Sequence, residues 1–263
     1  MTETKRTAIL LGTTAAAILA VFVLVPPVAQ PQSYHNFADA RTFMGVSRAL
    51  DVLSNLGFLV VGILGLRFLL TNDPQKIYTN LAEPWPYLVL FSGVMLTCFG
   101  SGYYHLAPDD ARLVWDRLPM TLGFMGLLSA VIGERISLKA GLRLLPALLL
   151  IGIGSVLYWQ WTETHNAGDL RPYLLVQFLP ALVIPLIMWL YPARYTGNRE
   201  LGFAALLYVA AKILEAADKP VYELTRHLVS GHTLKHLAAA WGVWWLLRML
   251  QNRKSELVKA ARA

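Results

Sequence analysis

The chain is short of cysteine and short of charge. Cys98 is its single cysteine among 263 residues, and it lies inside an apolar run. That excludes an internal disulfide and a cysteine-based zinc cluster. Any metal must then be held by histidine and carboxylate. Charged residues make up 15% of the chain, against about 25% in a soluble domain. There is no internal repeat, low-complexity segment or long linker, so little chain is left for a separate soluble domain. Acids are scarcer than bases, 16 against 23, and the net charge is +7. In a soluble protein that excess would point to nucleic acid. Here the bases gather on one side of the apolar runs, as the positive-inside rule requires. No nucleic-acid partner is expected.

What the chain has in plenty is apolar sequence. Hydrophobic residues make up 56% of it, and the mean hydropathy is +0.49. Runs of about 20 residues, the length that crosses a bilayer, recur at about 8–25, 49–70, 85–104, 114–133, 142–161, 172–191, 200–217 and 232–250. The expected fold is all-α, a polytopic membrane helix bundle. Lys5 and Arg6 precede the first run, and Pro26-Pro27 ends it. It reads as a retained anchor or a cleaved signal peptide. The run exceeds the ~7–15-residue core of a signal peptide, and Pro26 to Gln30 is a poor small-x-small cleavage site, which favours the anchor. The organisation is an anchor helix at 1–30, a membrane domain at 31–250 and a basic tail at 251–263.

Eight spans place both termini on one side, taken as cytoplasmic. That side collects Lys5, Arg6, Arg67, Lys76, Arg135, Lys139, Arg143, Arg194, Arg199 and the tail bases Arg253, Lys254, Lys259 and Arg262. The opposite side collects acids and all six histidines: His35, His105, His165, His227, His232 and His236.

Ser101 and His105 are four residues apart at the end of the third run, so they share one helix face. Asp116 opens the fourth run, and His232 and His236 repeat the four-residue spacing at the start of the last. The topology puts all five at one depth. Three neutral imidazoles suit zinc with a fourth position open, the catalytic pattern. Zinc acidifies a water and polarises a carbonyl. Asp116 can then move the water's proton to a leaving amine, and Ser101 can hydrogen-bond a developing oxyanion. Spacing alone does not separate zinc from other imidazole-binding metals. Each residue also has a plainer reading: packing for a lone histidine, close helix contact at Gly100-Ser101-Gly102, and an interfacial ion pair for Asp116 with Arg117.

Other polar residues sit near this end. Asp51, Ser54 and Asn55 share a face of the second run. Helix-to-helix hydrogen bonding is the expected role of Ser54 and Asn55, while Asp51 stands evenly between that and chemistry. Glu215, Asp218 and Glu223 read as a solvated loop face, with acceptance of hydrogen bonds that orient the ligand imidazoles as the alternative. Lys212 reads as pairing with Glu215 or snorkelling. His227 falls in a loop, as a surface or supporting residue.

The stretches Gly100-Ser101-Gly102-Tyr103-Tyr104-His105, Leu113 to Met120 and Gly231-His232-Thr233-Leu234-Lys235-His236, with Asp51 to Asn55, are similar to the alkaline ceramidase family, within the seven-helix membrane hydrolases that include adiponectin-type receptors. The resemblance covers about 37–250. It implies a seven-helix core, with the first run as an added N-terminal helix. It also implies an integral membrane amidase that cleaves ceramide to a sphingoid base and a fatty acid, with zinc on His105, His232 and His236, and Ser101 and Asp116 catalytic. It does not extend to calcium: Tyr34 to Asp39 departs from the acidic, Trp-containing calcium site of eukaryotic members, and Arg48 stands where an acid is usual. Asp51 takes a position commonly held by Asn. The short loops are like those of bacterial members. The expectation is therefore a multi-pass protein of a bacterial inner membrane, its site opening toward the periplasmic side and its partner an N-acyl lipid. Two alternatives stand beside it. One is a receptor-like scaffold with a closed structural zinc site. The other is a proton-relay transporter, against which the clustering at one end rather than at midplane weighs.

Overall fold

The second apolar run carries a break that its composition does not announce. Residues 49–71 form one continuous path of two helices, α2 (Ala49–Ser54) and α3 (Leu56–Thr71), meeting at Asn55. The Asn55 side-chain amide donates to the Asp51 carbonyl at 2.7 Å. It takes a carbonyl that the helix would otherwise use, which is how asparagine disturbs a helix interior.

The structure, a computed structural model, describes residues 1–254, so Lys259 and Arg262 of the basic tail lie outside the described residues. The described chain is all-helical. Besides α2 and α3 it has α1 (Glu3–Leu24), α4 (Pro84–Leu106), α5 (Asp110–Arg135), α6 (Leu138–Thr164), α7 (Arg171–Leu190), α8 (Asn198–Ala216), the short α9 (Asp218–Leu224) and α10 (Gly231–Gln251). Side-chain caps set several starts. Asp109 accepts from Arg112 N at 2.7 Å, so α5 begins four residues before the apolar run expected from about 114. Ser230 accepts from Thr233 N at 3.0 Å and starts α10. Pro84 occupies the first position of α4, where its missing N–H costs nothing.

Five helical segments are long and apolar enough to cross a membrane: Glu3–Leu24, Ala49–Thr71, Pro84–Leu106, Leu138–Thr164 and Arg171–Leu190. The other three expected runs form α5, α8 and α10, of 26, 19 and 21 residues. They are long enough but more polar, and their polar residues turn inward. On α8, Leu206, Val209 and Ile213 are exposed while Glu215 is largely covered. On α10, Leu237, Trp241 and Trp244 are exposed while His232 and His236 are buried. These are inside-out helices, with apolar surface outward and polarity in the bundle, the arrangement that lipid favours.

α4 packs against α3 and α5, α5 against α6 and α7, and α10 against α8, α3 and α2. The last long helix thus closes on the first helix of the bundle. α1 rests on α7 alone among the closer pairs, with Leu10 as its one buried residue. α8 packs mainly on α10. Toward α5 and α7 it reaches with long side chains: the Tyr208 ring lies 6.0 Å from Phe124, and its hydroxyl donates to the Gln177 carbonyl at 3.4 Å.

The two ends of α4 carry different polar clusters. Tyr87 and His105 are separated by about 27 Å at 1.5 Å per residue. At the Tyr87 end, Arg253 is buried against Glu134 and donates to the Tyr87 hydroxyl at 3.1 Å. Its guanidinium also lies 4.4 Å from the Tyr195 ring. The His105 end holds the candidate site.

Candidate metal centre

The C-terminal turn of α4 and the first turns of α10 bring three imidazoles together. His105 is 1% exposed, and His232 and His236 are each 3% exposed. Their ligand-capable atoms all lie within 4.8 Å of one another. His232 and His236 are four apart on one helix, so their rings, 4.8 Å apart, share a face. That face meets His105, whose ring stands 4.7 Å from His232 and 5.0 Å from His236. The Nε2 atoms of His105 and His232 are 3.2 Å apart. Two nitrogens each about 2.0–2.1 Å from one tetrahedral zinc would stand about 3.3–3.4 Å apart, so the spacing fits a shared ion. Among the described residues this is the one histidine, cysteine or carboxylate group so arranged.

A hydrogen-bond chain sets the tautomer of His236. The Ser54 hydroxyl donates to the Asp51 carbonyl at 3.0 Å. Having given its proton there, it can only accept from His236 Nδ1, 2.8 Å away. His236 therefore carries its proton on Nδ1 and keeps the Nε2 lone pair for a ligand, the standard way an outer partner orients a metal-binding imidazole. Ser54 was expected to serve helix-to-helix bonding, and it does, with a histidine of the triad as partner. Asn55 bonds locally instead. Asp51, wholly buried, accepts from Thr233 at 2.6 Å and Ser230 at 3.2 Å. It ties α2 to the first turn of α10, one residue from His232.

Ser101 and Asp116 are buried on adjacent helices, 2% and 8% exposed, Ser101 one turn before His105 on α4. α5 brings Asp116 against the Gly100-Ser101 turn of α4. Gly100 makes that possible. A Cβ there would run into the Trp115 carbonyl oxygen, so α4 and α5 touch backbone to backbone. Both the close-packing and the functional readings of Gly100-Ser101 therefore describe the same crossing.

The ion-pair reading of Asp116 with Arg117 is not what the structure has. Arg117 turns away, into a box of Trp159 at 4.1 Å, Tyr173 at 4.5 Å and Tyr34 at 5.8 Å. Its Nη2 donates to Gln30 Oε1 at 2.6 Å, and its Nη1 is buried without a partner. The cause is geometric: adjacent helical residues point about 100° apart.

The solvated reading of Glu215 and Asp218 also gives way. Glu215 is held by Lys212, by Lys235 at 3.1 Å and by the Tyr34 hydroxyl at 3.3 Å. Asp218 accepts from His232 N and from Ala38 N, both at 2.8 Å. It caps α10 and pins the segment before α2. Glu223 is exposed, as expected of a loop face, and so is His227.

The segment at 26–48 is the part of the site that sequence reasoning missed. It crosses the triad as a strap. The Phe37 ring sits 4.7 Å from His105 and 4.4 Å from His232. His35 bonds the Tyr104 hydroxyl at 2.9 Å and Asp110 at 3.1 Å. The Gln30 N–H donates to Glu163. Burial pushes the Tyr34 phenol pKa up, and the Glu215 charge adds to it, so Tyr34 remains a neutral donor. Burial works against the charge of Asp39, but Arg41, bonded at 2.7 Å, holds its carboxyl below the ordinary value. The signal available was two aromatics, Tyr34 and Phe37, in a polar stretch between apolar runs.

No known protein-family model matches the chain, and no curated protein does. The arrangement itself offers three imidazole donors under an aromatic cover.

Proposed function

We propose that the protein is a zinc-dependent intramembrane amidohydrolase that cleaves ceramide or a related N-acyl lipid to a free fatty acid and an amine. The observation that carries this reading is the convergence of His105, His232 and His236, buried, at the end of α4 that meets the Asp116 turn of α5. The reading includes a seven-helix core made of α2–α3, α4, α5, α6, α7, α8 and α10, with α1 outside it, in a bacterial-type inner membrane with both termini cytoplasmic. The sidedness of the bases and the inward polarity of α5, α8 and α10 support it.

In this reading the three imidazoles hold the ion, and His236 is kept in its ligating tautomer by Ser54. A bound zinc supplies Lewis-acid polarisation of the amide carbonyl and a nucleophilic water at neutral pH. Asp116 takes the proton that the attacking water loses and returns it to the amide nitrogen as the C–N bond breaks. One water is consumed, and a carboxylic acid and an amine leave. Ser101 keeps the Asp116 carboxylate turned toward the reacting groups. Burial of the triad keeps bulk water out. The outward apolar faces offer an acyl chain a surface along the bundle.

The test is metal analysis beside product analysis. The purified protein is expected to hold about one zinc per chain. It should release fatty acid from at least one of a panel of N-acyl lipids and stop when chelated. His105→Ala, His232→Ala and His236→Ala should lose both metal and turnover. Asp116→Asn should keep the metal and lose about 10²–10⁴-fold in rate, the range of a general acid–base group. Full zinc retention in His232→Ala would overturn the ligand set. Metal without release of fatty acid from any lipid would leave a structural zinc site.

A further inference from the structure

Among the described residues, His236 alone of the three imidazoles has a hydroxyl that sets its ring, that of Ser54. His105 turns Nε2 toward His232, so Nδ1 is its outer nitrogen, and that atom is buried without a partner. A ligating imidazole usually gives its outer N–H to a carboxylate, a carbonyl or water. The His232 ring meets His105 through Nε2 and has no other hydrogen-bond partner among the described residues. The torsion that swings an imidazole about its Cβ–Cγ bond is broad. Covalent geometry therefore fixes the direction of neither lone pair.

Phe37 packs on those two rings. It lies 4.7 Å from His105 and 4.4 Å from His232, inclined 62° to each, and it meets the Tyr104 ring at 5.8 Å. The local chain fixes its direction. Asn36 sits at φ −91° and ψ 74°, close to an inverse γ-turn, which Phe37 N closes by donating to the His35 carbonyl at 3.2 Å. The residues on either side are pinned. His35 is buried and bonded to Tyr104 and Asp110. Ala38 N donates to Asp218 Oδ2 at 2.8 Å, and the other oxygen of that carboxylate accepts from His232 N at 2.8 Å. One carboxylate thus joins the strap that carries Phe37 to the helical turn that carries His232.

We propose that Phe37 is a positioning residue of the metal centre. By packing, it holds the His105 and His232 rings in their ligating orientation, the task that a hydrogen bond performs for His236. Inclined aromatic contacts at these separations are attractive in themselves. A ring wedged against both imidazoles also stops each from turning about its Cβ–Cγ bond. The proposal rests on the ligand set of the amidase reading and not on the lipid or on turnover.

The full-length protein in detergent is loaded with zinc or with cobalt(II). Zinc affinity is read by competition with a chelator of known strength. The visible spectrum of the cobalt form reports how the donors stand around the ion. Phe37→Ala should bind zinc about 10–100-fold more weakly, the range found when an outer partner of a metal-binding imidazole is lost. Its cobalt spectrum should change while its helical content does not. Phe37→Leu keeps apolar bulk against both rings and should recover most of the affinity. Phe43→Ala removes an exposed aromatic from the same strap and should change neither readout, which separates positioning from loosening of the strap. If Phe37→Ala does not fold, Phe37→Val decides by the same two measurements. Native affinity with a native cobalt spectrum in the Phe37 variant overturns the proposal, and so does an equal loss in Phe43→Ala. Native protein that holds zinc but cleaves no lipid would sink the amidase reading alone. Zinc-dependent cleavage with native affinity in Phe37→Ala would sink this one alone.

Discussion

At the scale of single residues, the three imidazoles were visible in the sequence and their supports were not. His105, His232 and His236 announce themselves by spacing and by depth along neighbouring apolar runs. Ser54 does not, because nothing local says which histidine its hydroxyl will meet 182 positions away. Glu215 and Asp218 looked solvated because acids near a span end usually are. Their partners, Tyr34 and Ala38, come from the far end of the chain. The Ser54 bond makes a separate prediction. Ser54→Ala frees the His236 ring to change tautomer and orientation without touching a ligand. Zinc affinity, measured by competition with a chelator of known strength, should fall about 10–100-fold, with helical content unchanged. An unaltered affinity would remove Ser54 from the site.

Among the elements, hydropathy located the helices well and ranked them poorly. All eight expected apolar runs are helical, but α5, α8 and α10 are the polar ones. These three carry most of the ionisable groups near the triad, while α4 brings only His105. Asp116 and Arg117 are on α5, Lys212 and Glu215 on α8, and His232, Lys235 and His236 on α10. The break at Asn55 was also hidden, since an asparagine in a span reads as a helix-to-helix hydrogen-bonding residue and not as a competitor for a carbonyl. The contact of α4 with α5 carries the next prediction. Gly100→Ala places a methyl against the Trp115 backbone, which cannot rotate away as a side chain would. The two helices must part. Stability should drop by about 1–3 kcal/mol, the usual cost of overpacking, seen as a lower unfolding midpoint in detergent. Turnover should fall further than stability does, because Ser101 and Asp116 separate. A variant as stable as the native protein would mean that the crossing yields.

Over the whole molecule, the bundle is fastened at both ends of α4 by different chemistry. The far end holds Arg253, whose side chain is 1% exposed, against Glu134 and three tyrosine rings. The sequence offered Arg253 as one base of a solvated cytoplasmic tail. Burial was not readable there, because its acceptors come from α4 and α5 and from the turn before α8. Arg253→Ala takes the counter-charge from the largely covered Glu134 carboxylate and leaves it the Tyr87 hydroxyl alone. The expected loss is about 3–5 kcal/mol, read from thermal unfolding, with zinc content unchanged since the triad is about 27 Å away. A loss of zinc on this substitution would show that the two ends are coupled.

Phe37 has a consequence for the order of events during synthesis. Its ring covers His105 and His232, and those two histidines are themselves 127 residues apart. The cover is made early, while His232 and His236 follow only after the helices between them. Until α10 arrives, the strap has nothing beneath it to dock on, and Asp218 and Glu215 have no α10 to hold. The centre therefore cannot assemble piecemeal as the chain emerges. It forms in one long-range closure that joins the beginning of the bundle to its last long helix.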